Sequence, residues 1–399
     1  MKKESQKPSI PMRNTQRHRA VLHAPLPGPR RANKPQRFLP LFLLALTLTG
    51  AFCFLCFGGE NPVSEEEPYT FSEPLIEEAV RIQLGIPEGD ITYGQLKEVT
   101  SLHIFGKQVY TDEAQFLFQG NYVFSKDAGF RESGLWEENG QIESLADLNA
   151  MPNLTEACIY RQNITDIEEL KGTQIPYLGL GYNPLTDLSP LKDNANIQGI
   201  NLSCLPELDY DTLATLSGLS ELIISGMGEE DLSPLSHLPL RTLNISDTWF
   251  TEDATVLSFT GLEKIVLSNL YPDLLSYLKE LPIRDLETTR VQGLTLRDLQ
   301  ALPLLQRLCY RTGQETLEEL TGEPLSFPEL IELDMKGLAI ESLTCLSELH
   351  ALERVGIYES QIQSYEGLES LPSLTDIWAL PEQKEQLNTL YPENTWQIG

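Results

Sequence analysis

The sequence predicts an α/β repeat solenoid, in which short strands stack into one parallel sheet. The first observation behind this prediction is a phrase of two apolar residues separated by one residue, which recurs along most of the 399-residue chain. The second is its spacing, since successive phrases begin 21 to 25 residues apart, most often 22. The third is the leucine-lined stretch between phrases, such as Leu232 to Leu238. The phrases begin at Ala157, Leu178, Ile200, Leu222, Leu243, Ile265, Leu286, Leu308, Leu333, Val355 and Ile377.

Each repeat reads as a strand followed by a return segment. Alternate apolar residues of a strand point to one side, and one unit cannot bury that side alone. Stacked units bury a continuous core and align their strands. The pattern is that of a leucine-rich repeat with units of about 22 residues and a parallel sheet on the concave face. Leu102-His-Ile104 is expected to be the strand that opens the array.

The N-terminal region has the pattern of a membrane anchor. Residues 1–37 carry ten Lys/Arg and one acid, whereas the remainder carries 19 basic and 57 acidic residues. Residues 38–59 are uncharged and as a helix would cover roughly 33 Å, enough to cross a bilayer. Basic residues on the N-terminal side place the tail in the cytoplasm and the repeats outside. We expect a single-pass signal-anchor, because the leader is long and no A-x-A-like site follows as in a cleaved signal peptide.

Composition divides the chain into seven segments, of which the repeat array is the largest. The segment after the opening strand is rich in aromatic residues and includes a hairpin pattern with its turn at Gly120-Asn121; those aromatics either bind a ligand or fill a small core of their own. The segments are a disordered basic cytoplasmic tail (1–37), a transmembrane signal-anchor (38–59), an acidic stalk (60–70), a helical N-terminal cap (71–101), the first strand with the aromatic insertion (102–141), the leucine-rich repeats (142–379) and a C-terminal cap (380–399) with a short helix over the last strand.

The repeat pattern, together with Phe71 to Thr92 just before it, resembles the internalin-like leucine-rich-repeat proteins of Gram-positive bacteria. The resemblance covers about residues 68–399 and implies a helical N-terminal cap, cell-surface recognition or adhesion, and no catalytic residues. The chain departs from that family in two respects. The asparagine five residues after the first strand leucine survives only as Asn183, and no sortase-type wall-anchoring motif follows the repeats.

The residues with catalytic or metal-binding potential show no spacing typical of an active site. The histidines and cysteines have no metal-ligand or nucleophile–base spacing, and phosphate-binding loops are absent, so neither an enzyme nor a cofactor is expected. His103 is read as an ordinary strand or surface residue, and Cys158, Cys204, Cys309 and Cys345 as isolated thiols. The acidic body also excludes nucleic acid, because phosphate would be repelled.

The strand residues that flank the leucines should form a binding face with an aromatic N-terminal end, a small-polar middle and a charged C-terminal end. Six successive residues that precede the strand leucines alternate in sign and predict a structural ion-pair ladder: Lys264, Asp285, Arg307, Glu332, Arg354 and Asp376. Near them lie four candidates for contact with a protein or peptide ligand outside the cell, or ordinary surface residues: Arg311, Lys336, Tyr358 and Trp378. The sequence thus leaves two functions open, a cell-surface binding or adhesion module and a structural envelope scaffold without a discrete ligand.

Overall fold

The computed structural model describes residues 64–110, 139–312, 318–320, 323–393 and 395–399. The described residues belong to one compact unit, Val63–Gly399. Both the basic tail and the expected membrane span lie outside them, as does most of the aromatic insertion. Within the described ranges, the helices are all too short or too polar to cross a bilayer.

One sheet of fifteen strands runs through the described part of the chain, and it confirms the predicted leucine-rich-repeat fold. Only β1 and β2 pair antiparallel; the other strands of the sheet pair in parallel. The strands are β1 Ser101–Phe105, β2 Gln108–Tyr110, β3 Glu156–Tyr160, β4 Tyr177–Gly179, β5 Gly199–Asn201, β6 Glu221–Ile223, β8 Thr242–Ile245, β10 Lys264–Leu267, β11 Asp285–Thr288, β12 Arg307–Arg311, β13 Glu318–Leu320, β14 Glu332–Ile340, β15 Arg354–Ile362, β16 Asp376–Trp378 and β17 Gln397–Ile398; β7 Gly228–Glu230 and β9 Thr248–Phe250 form a separate pair.

Each strand from β3 to β16 on the path of the main sheet begins one residue before the predicted apolar phrase. The register places the first leucine positions side by side, as in Leu222 beside Leu243. These side chains are fully buried, and the leucines of the return segments, such as Leu232 and Leu235, are buried with them. Burying one such side chain contributes roughly 1.5–3 kcal/mol, so stacking supplies the energy that a single repeat lacks.

Most return segments contain a short helix, whereas the return between β12 and β14 holds strand β13 among its described residues. Two of them repeat the sequence Asp-Leu-Ser-Pro-Leu, and in each the serine backbone N–H donates to the aspartate carboxylate. Ser189 donates to Asp187 at 2.8 Å, and Ser233 donates to Asp231 at 2.9 Å. Proline then sits in the first turn, where its missing N–H costs nothing. The 3-10 returns are Ala146–Ala150, Glu168–Leu170, Ser189–Leu191, Ser233–Leu235, Asp253–Ser258, Leu296–Ala301, Leu343–Leu346 and Leu368–Ser370; the α-helical ones are α3 Tyr210–Leu213 and α4 Pro272–Leu278.

Before β1, two helices pack on the core: α1 Pro74–Leu84 and α2 Tyr93–Leu96. The buried carboxylate of Asp147 accepts hydrogen bonds from the backbone N–H groups of Ser72 and Glu73 at the N-terminus of α1. It also accepts from the Tyr69 hydroxyl at 2.8 Å. A negative charge at a helix N-terminus is favourable, so Asp147 joins the helices to the first repeat.

The predicted acidic stalk (60–70) is described from residue 64 onward, and there its acids are exposed while its backbone is bonded to the helical region. The backbone of Tyr69 donates to Ile91 at 2.7 Å, and Glu65 pairs with Lys97 at 2.5 Å. Residues 65–69 are therefore held beside the helices by these contacts, whereas the side chains of Glu65, Glu66 and Glu67 stay exposed.

At the position where the asparagine is expected, other residue types make the same kind of hydrogen bonds to the backbone. Asn183 donates to the backbone oxygen of Ile159 and accepts from the backbone of Gln162. Thr248 and Ser360, at the same position of later repeats, each donate to a backbone oxygen of the preceding repeat and accept from a backbone N–H. A hydroxyl that both donates and accepts can therefore replace the amide at this position.

The last repeat is followed by helix α5, Pro381–Leu390, where the sequence predicts a short helix. The edge of β16, which that helix was expected to cover, is paired by β17. The backbone of Gly399 completes this pairing through bonds to Ile377 and Ala379.

Candidate functional site: the polar face of the sheet

We call the side of the sheet away from the leucine core the polar face. Each strand has two core positions, the apolar residues of its phrase, such as Leu243 and Ile245. The polar face consists of three rows of residues, which lie before, between and after these core positions. The row after the core positions was expected to expose a run of small hydroxyls, and that expectation is wrong, since four of them are buried. Ser203 bonds to Ser225 at 3.0 Å, while Asn201 and Asn244 accept from the serines two residues on. The four buried serines are Ser203, Ser225, Ser246 and Ser268.

The row before the core positions carries the six residues of the predicted ion-pair ladder in adjacent register. Lys264 lies 3.6 Å from Asp285, and Arg307 lies 3.9 Å from the same carboxylate. Arg354 binds Glu332 through two nitrogens at 2.8 and 2.9 Å. Among the described residues no ion pair joins these two groups or reaches Asp376, so five of the six form a triplet and a pair instead of one chain of contacts.

A cluster of charged and polar side chains occupies the C-terminal half of the polar face, and we call it the charged cluster. At its centre the Asp334 carboxylate lies 3.4 Å from the Lys336 ammonium. It also accepts from the Tyr358 hydroxyl at 3.2 Å and lies 3.7 Å from the Cys309 sulfur. Glu287 stands one strand further on, beside Cys309 in register.

The space for this carboxylate exists because the next residue in register is Gly356. A Cβ atom there would stand 2.3 Å from Oδ1 of Asp334. That oxygen is buried and has no hydrogen-bond partner in the described part of the chain. The cluster therefore contains an acceptor whose hydrogen-bonding capacity is unused.

Burial and charge shift the protonation equilibria of the charged cluster. Burial raises the pKa of Glu287 to about 7, against the opposing charge of Lys264. Burial likewise raises the pKa of Asp334, although the Lys336 charge counteracts it. Burial alone would lower the pKa of Lys336, but the neighbouring Cys309 and Asp334 raise it overall. Lys336 is consequently a cation held by an acid in a poorly hydrated place.

The four predicted contact residues differ in their surroundings. Lys336 was expected to be exposed, but its side chain is 3% exposed because it is folded onto Asp334 and lies 5.1 Å from the centre of the Tyr358 ring. Tyr358, Arg311 and Trp378 are half-buried. The repeat spacing predicts that Lys336 and Tyr358 are neighbours in register. In the structure the register shifts between β14 and β15, so that Lys336 is beside Glu359 instead.

A second cluster, at the N-terminal end of the polar face, brings together residues that sequence reasoning treated separately. His103 Nε2 lies 2.7 Å from Glu156 Oε1, and the Cys158 thiol lies 3.5 Å from the same oxygen. The Tyr160 hydroxyl contacts the Cys158 sulfur at 3.7 Å. Burial raises the pKa of both the Cys158 thiol and the Tyr160 hydroxyl.

The signal for this second cluster was present in the sequence. Glu156, Cys158 and Tyr160 are two residues apart and therefore share one side of β3. The register places His103 beside Cys158. Alignment of the opening strand with the second strand would have brought these side chains together, whereas spacing along the chain could not, because 53 residues separate His103 from Glu156.

Comparisons with known proteins give structural similarity only. No family model matches the chain, and no curated protein matches it. Among solved structures, an internalin of Listeria monocytogenes is 17% identical and covers 82% of this chain and 95% of its own, with a TM-score of 0.43. A leucine-rich-repeat protein of Leptospira interrogans is 17% identical and covers 84% and 100%, with a TM-score of 0.38. The Toll–Spatzle complex from Drosophila is 14% identical and covers 61% and 35%, with a TM-score of 0.42. At these TM-scores none of the three indicates what this chain binds.

Proposed function

We propose that this chain is a non-catalytic binding protein that recognises a protein or peptide on the C-terminal half of its polar face. The observation that carries the proposal is the set of partly exposed Arg and aromatic side chains on the adjacent strands β12 to β16. The Arg307 side chain is 55% exposed, and Arg311, Tyr358 and Trp378 are half-buried on the same face. Arginine, tyrosine and tryptophan are enriched among the few residues that dominate the binding energy of protein interfaces.

The size and rigidity of this surface suit a macromolecular ligand. Strands lie about 4.8 Å apart, so the five repeats from β11 to β16 span roughly 20 Å. Each strand is held by parallel pairing on both sides, since β10 flanks β11 and β17 flanks β16. A rigid surface loses little conformational entropy on binding, which favours affinity.

Within this proposal Lys336 acts as a support for the contact residues. Its ammonium is held by Asp334 and lies against the Tyr358 ring, so it limits the positions that the ring can adopt. Arg311, Tyr358 and Trp378 are then the side chains that touch the ligand.

We also propose that the repeats face the outside of the cell, anchored by residues 38–59. The support is the uncharged run of 22 residues that follows the basic tail. A protease added to intact cells should then remove the bulk of the chain and leave a basic fragment ending near Gly59. Digestion of residues 1–37 with protection of the repeats would reverse this orientation.

The binding proposal is tested by affinity capture with the full chain and matched variants. One saturable partner should be captured by the natural protein, and the double variant Arg311→Glu, Trp378→Ala should bind it at least 100-fold more weakly, since two interface hot spots of about 1.4 kcal/mol or more are lost. The control Lys279→Glu changes an exposed residue at the end of α4 and should bind normally. Equal binding by both variants would refute the proposed surface, and the absence of any saturable partner would favour a structural scaffold.

A further inference from the structure

The N-terminal cluster has the composition of a transition-metal site. His103 offers an imidazole nitrogen, Glu156 a carboxylate oxygen and Cys158 a sulfur, and these atoms all lie within 4.8 Å of one another. His103 and Cys158 are buried, whereas the Glu156 side chain is 22% exposed. Imidazole and thiolate together favour Zn²⁺ over Mg²⁺ or Ca²⁺, and carboxylate is also an accepted zinc ligand.

We propose that His103, Glu156 and Cys158 bind one Zn²⁺, which links β1 to β3 at the N-terminal end of the sheet. Zinc–ligand bonds of about 2.0–2.3 Å at tetrahedral angles place neighbouring ligand atoms roughly 3.3–3.7 Å apart. The Glu156–Cys158 contact of 3.5 Å already meets this requirement. The His103–Glu156 contact of 2.7 Å is that of a hydrogen bond, so it must open slightly. The Glu156 side chain is partly exposed, so its rotation can supply that movement, and the His103 and Cys158 ligand atoms, which lie within 4.8 Å of each other, must come to the tetrahedral separation as the metal binds.

The surroundings of the sulfur fit a bound thiolate. The Tyr160 hydroxyl lies 3.7 Å from the Cys158 sulfur, where it can donate a hydrogen bond to the anion. Such second-shell donors orient and stabilise metal ligands. Gly179 follows Cys158 in the register of β3 and β4, and a Cβ there would stand 2.2 Å from this hydroxyl and 3.1 Å from the sulfur. The glycine thus provides the room in which Tyr160 reaches the sulfur.

The position of the ligands gives the metal a structural role. They lie on two hydrogen-bonded strands that are far apart in the chain, since 53 residues separate His103 from Glu156. A metal that joins them holds a long loop closed, and its binding energy adds to the stability of the folded state. Three protein ligands leave a fourth position that water can complete.

The test is titration of the chelator-treated full chain with Co²⁺, a spectroscopic substitute for Zn²⁺, followed by displacement with Zn²⁺. One equivalent should produce the absorption of tetrahedral cobalt together with a sulfur-to-cobalt charge-transfer band. Cys158→Ser should abolish the charge-transfer band, whereas Cys309→Ser should keep it. Zn²⁺ should raise the melting temperature of the natural protein and leave that of Cys158→Ser unchanged.

Two further variants keep the proposal falsifiable if Cys158→Ser folds poorly. Glu156→Gln changes a partly exposed side chain and should weaken Co²⁺ binding at least tenfold while the circular dichroism spectrum stays the same. Tyr160→Phe should weaken it by about 10-fold to 100-fold, as expected for a second-shell donor. The absence of a charge-transfer band in the natural protein, or equal binding by Glu156→Gln, would overturn the site.

Discussion

Replacement of Lys336 by methionine is expected to destabilise the protein strongly at neutral pH and only weakly in acid. The Lys336 side chain is 3% exposed and Asp334 is 12% exposed, so the change removes one partner of a buried ion pair. Methionine preserves most of the volume of the aliphatic chain. The loss therefore reports on charge and not on a cavity.

The magnitude follows from the geometry. At an effective dielectric constant of about 20, two unit charges 3.4 Å apart attract by about 5 kcal/mol. Asp334 can limit the loss by taking up a proton, which at pH 7 costs roughly 4 kcal/mol relative to an ordinary aspartate. Removal of one partner of a buried pair commonly costs about 3–5 kcal/mol. We expect Lys336→Met to lower the free energy of unfolding by about 3–4 kcal/mol at pH 7.

The dependence on pH separates this mechanism from a general packing defect. Burial already raises the pKa of Asp334, and without Lys336 its pKa rises further. A carboxyl group whose folded-state pKa is raised contributes stability at low pH and loses it as the pH rises. At pH 5 protonation of Asp334 costs only about 1.5 kcal/mol, so the penalty should fall to about 1–2 kcal/mol.

Urea unfolding at pH 7 and pH 5 measures the effect, with two matched controls. Lys171→Met removes an exposed lysine that pairs with Glu168 at 2.8 Å, and it should leave the free energy of unfolding unchanged. The double variant Asp334→Asn, Lys336→Met leaves no unpaired charge and should recover most of the stability. A penalty below about 1 kcal/mol at pH 7, or one equal at both pH values, would refute this reasoning.

Three further predictions concern the charges of the fold. Arg354→Glu should lower the melting temperature more than Arg307→Glu, because Arg354 makes two close contacts with its partner whereas Arg307 is 55% exposed. Both effects should shrink in high salt, which screens charges. Equal shifts would contradict the observed pairing. Burial raises the pKa of Glu287 to about 7, so its contribution to stability is complete below about pH 4.5 and is lost as the pH rises through 7. Glu287→Gln should therefore gain up to about 3 kcal/mol over the natural protein at pH 8 and nothing at pH 4 in urea unfolding. Asp147→Asn should cost about 2–4 kcal/mol in the same assay, since the buried carboxylate that accepts from two backbone N–H groups and a tyrosine hydroxyl loses its charge. A loss below about 1 kcal/mol would show that Asp147 does not hold the first helix.

The repeat array could be predicted from the sequence because it depends on hydrophobic periodicity alone. Each predicted apolar phrase lies in a strand that begins one residue earlier, and the irregular spacing before Leu333 did not disturb the register. Leucines that must be buried leave no alternative alignment, because a shift by one residue would turn them to the other side.

The polar face could be predicted less well, because the exposure of a side chain there depends on its neighbours across strands. Lys336 is buried since Gly356 leaves room for the Asp334 carboxylate that holds it. The alternation of charge predicted which residues are neighbours but not which neighbours form ion pairs. Arg307 has an acid on each side, and its long side chain can reach either one. The metal ligands were missed because His103 and Cys158 meet only through strand register.

The central claim, that the C-terminal half of the polar face recognises a macromolecular ligand, is tested most directly by site-specific photocrosslinking on intact cells. A photoreactive residue is placed at Arg311 or Trp378, and in a matched protein at the exposed Lys279 of the return side. Crosslinked products are then resolved by mass. The account predicts one discrete product from the two polar-face positions, reduced by excess unlabelled protein, and none from Lys279. Equal crosslinking from both sides, or a product from Lys279 alone, would contradict it.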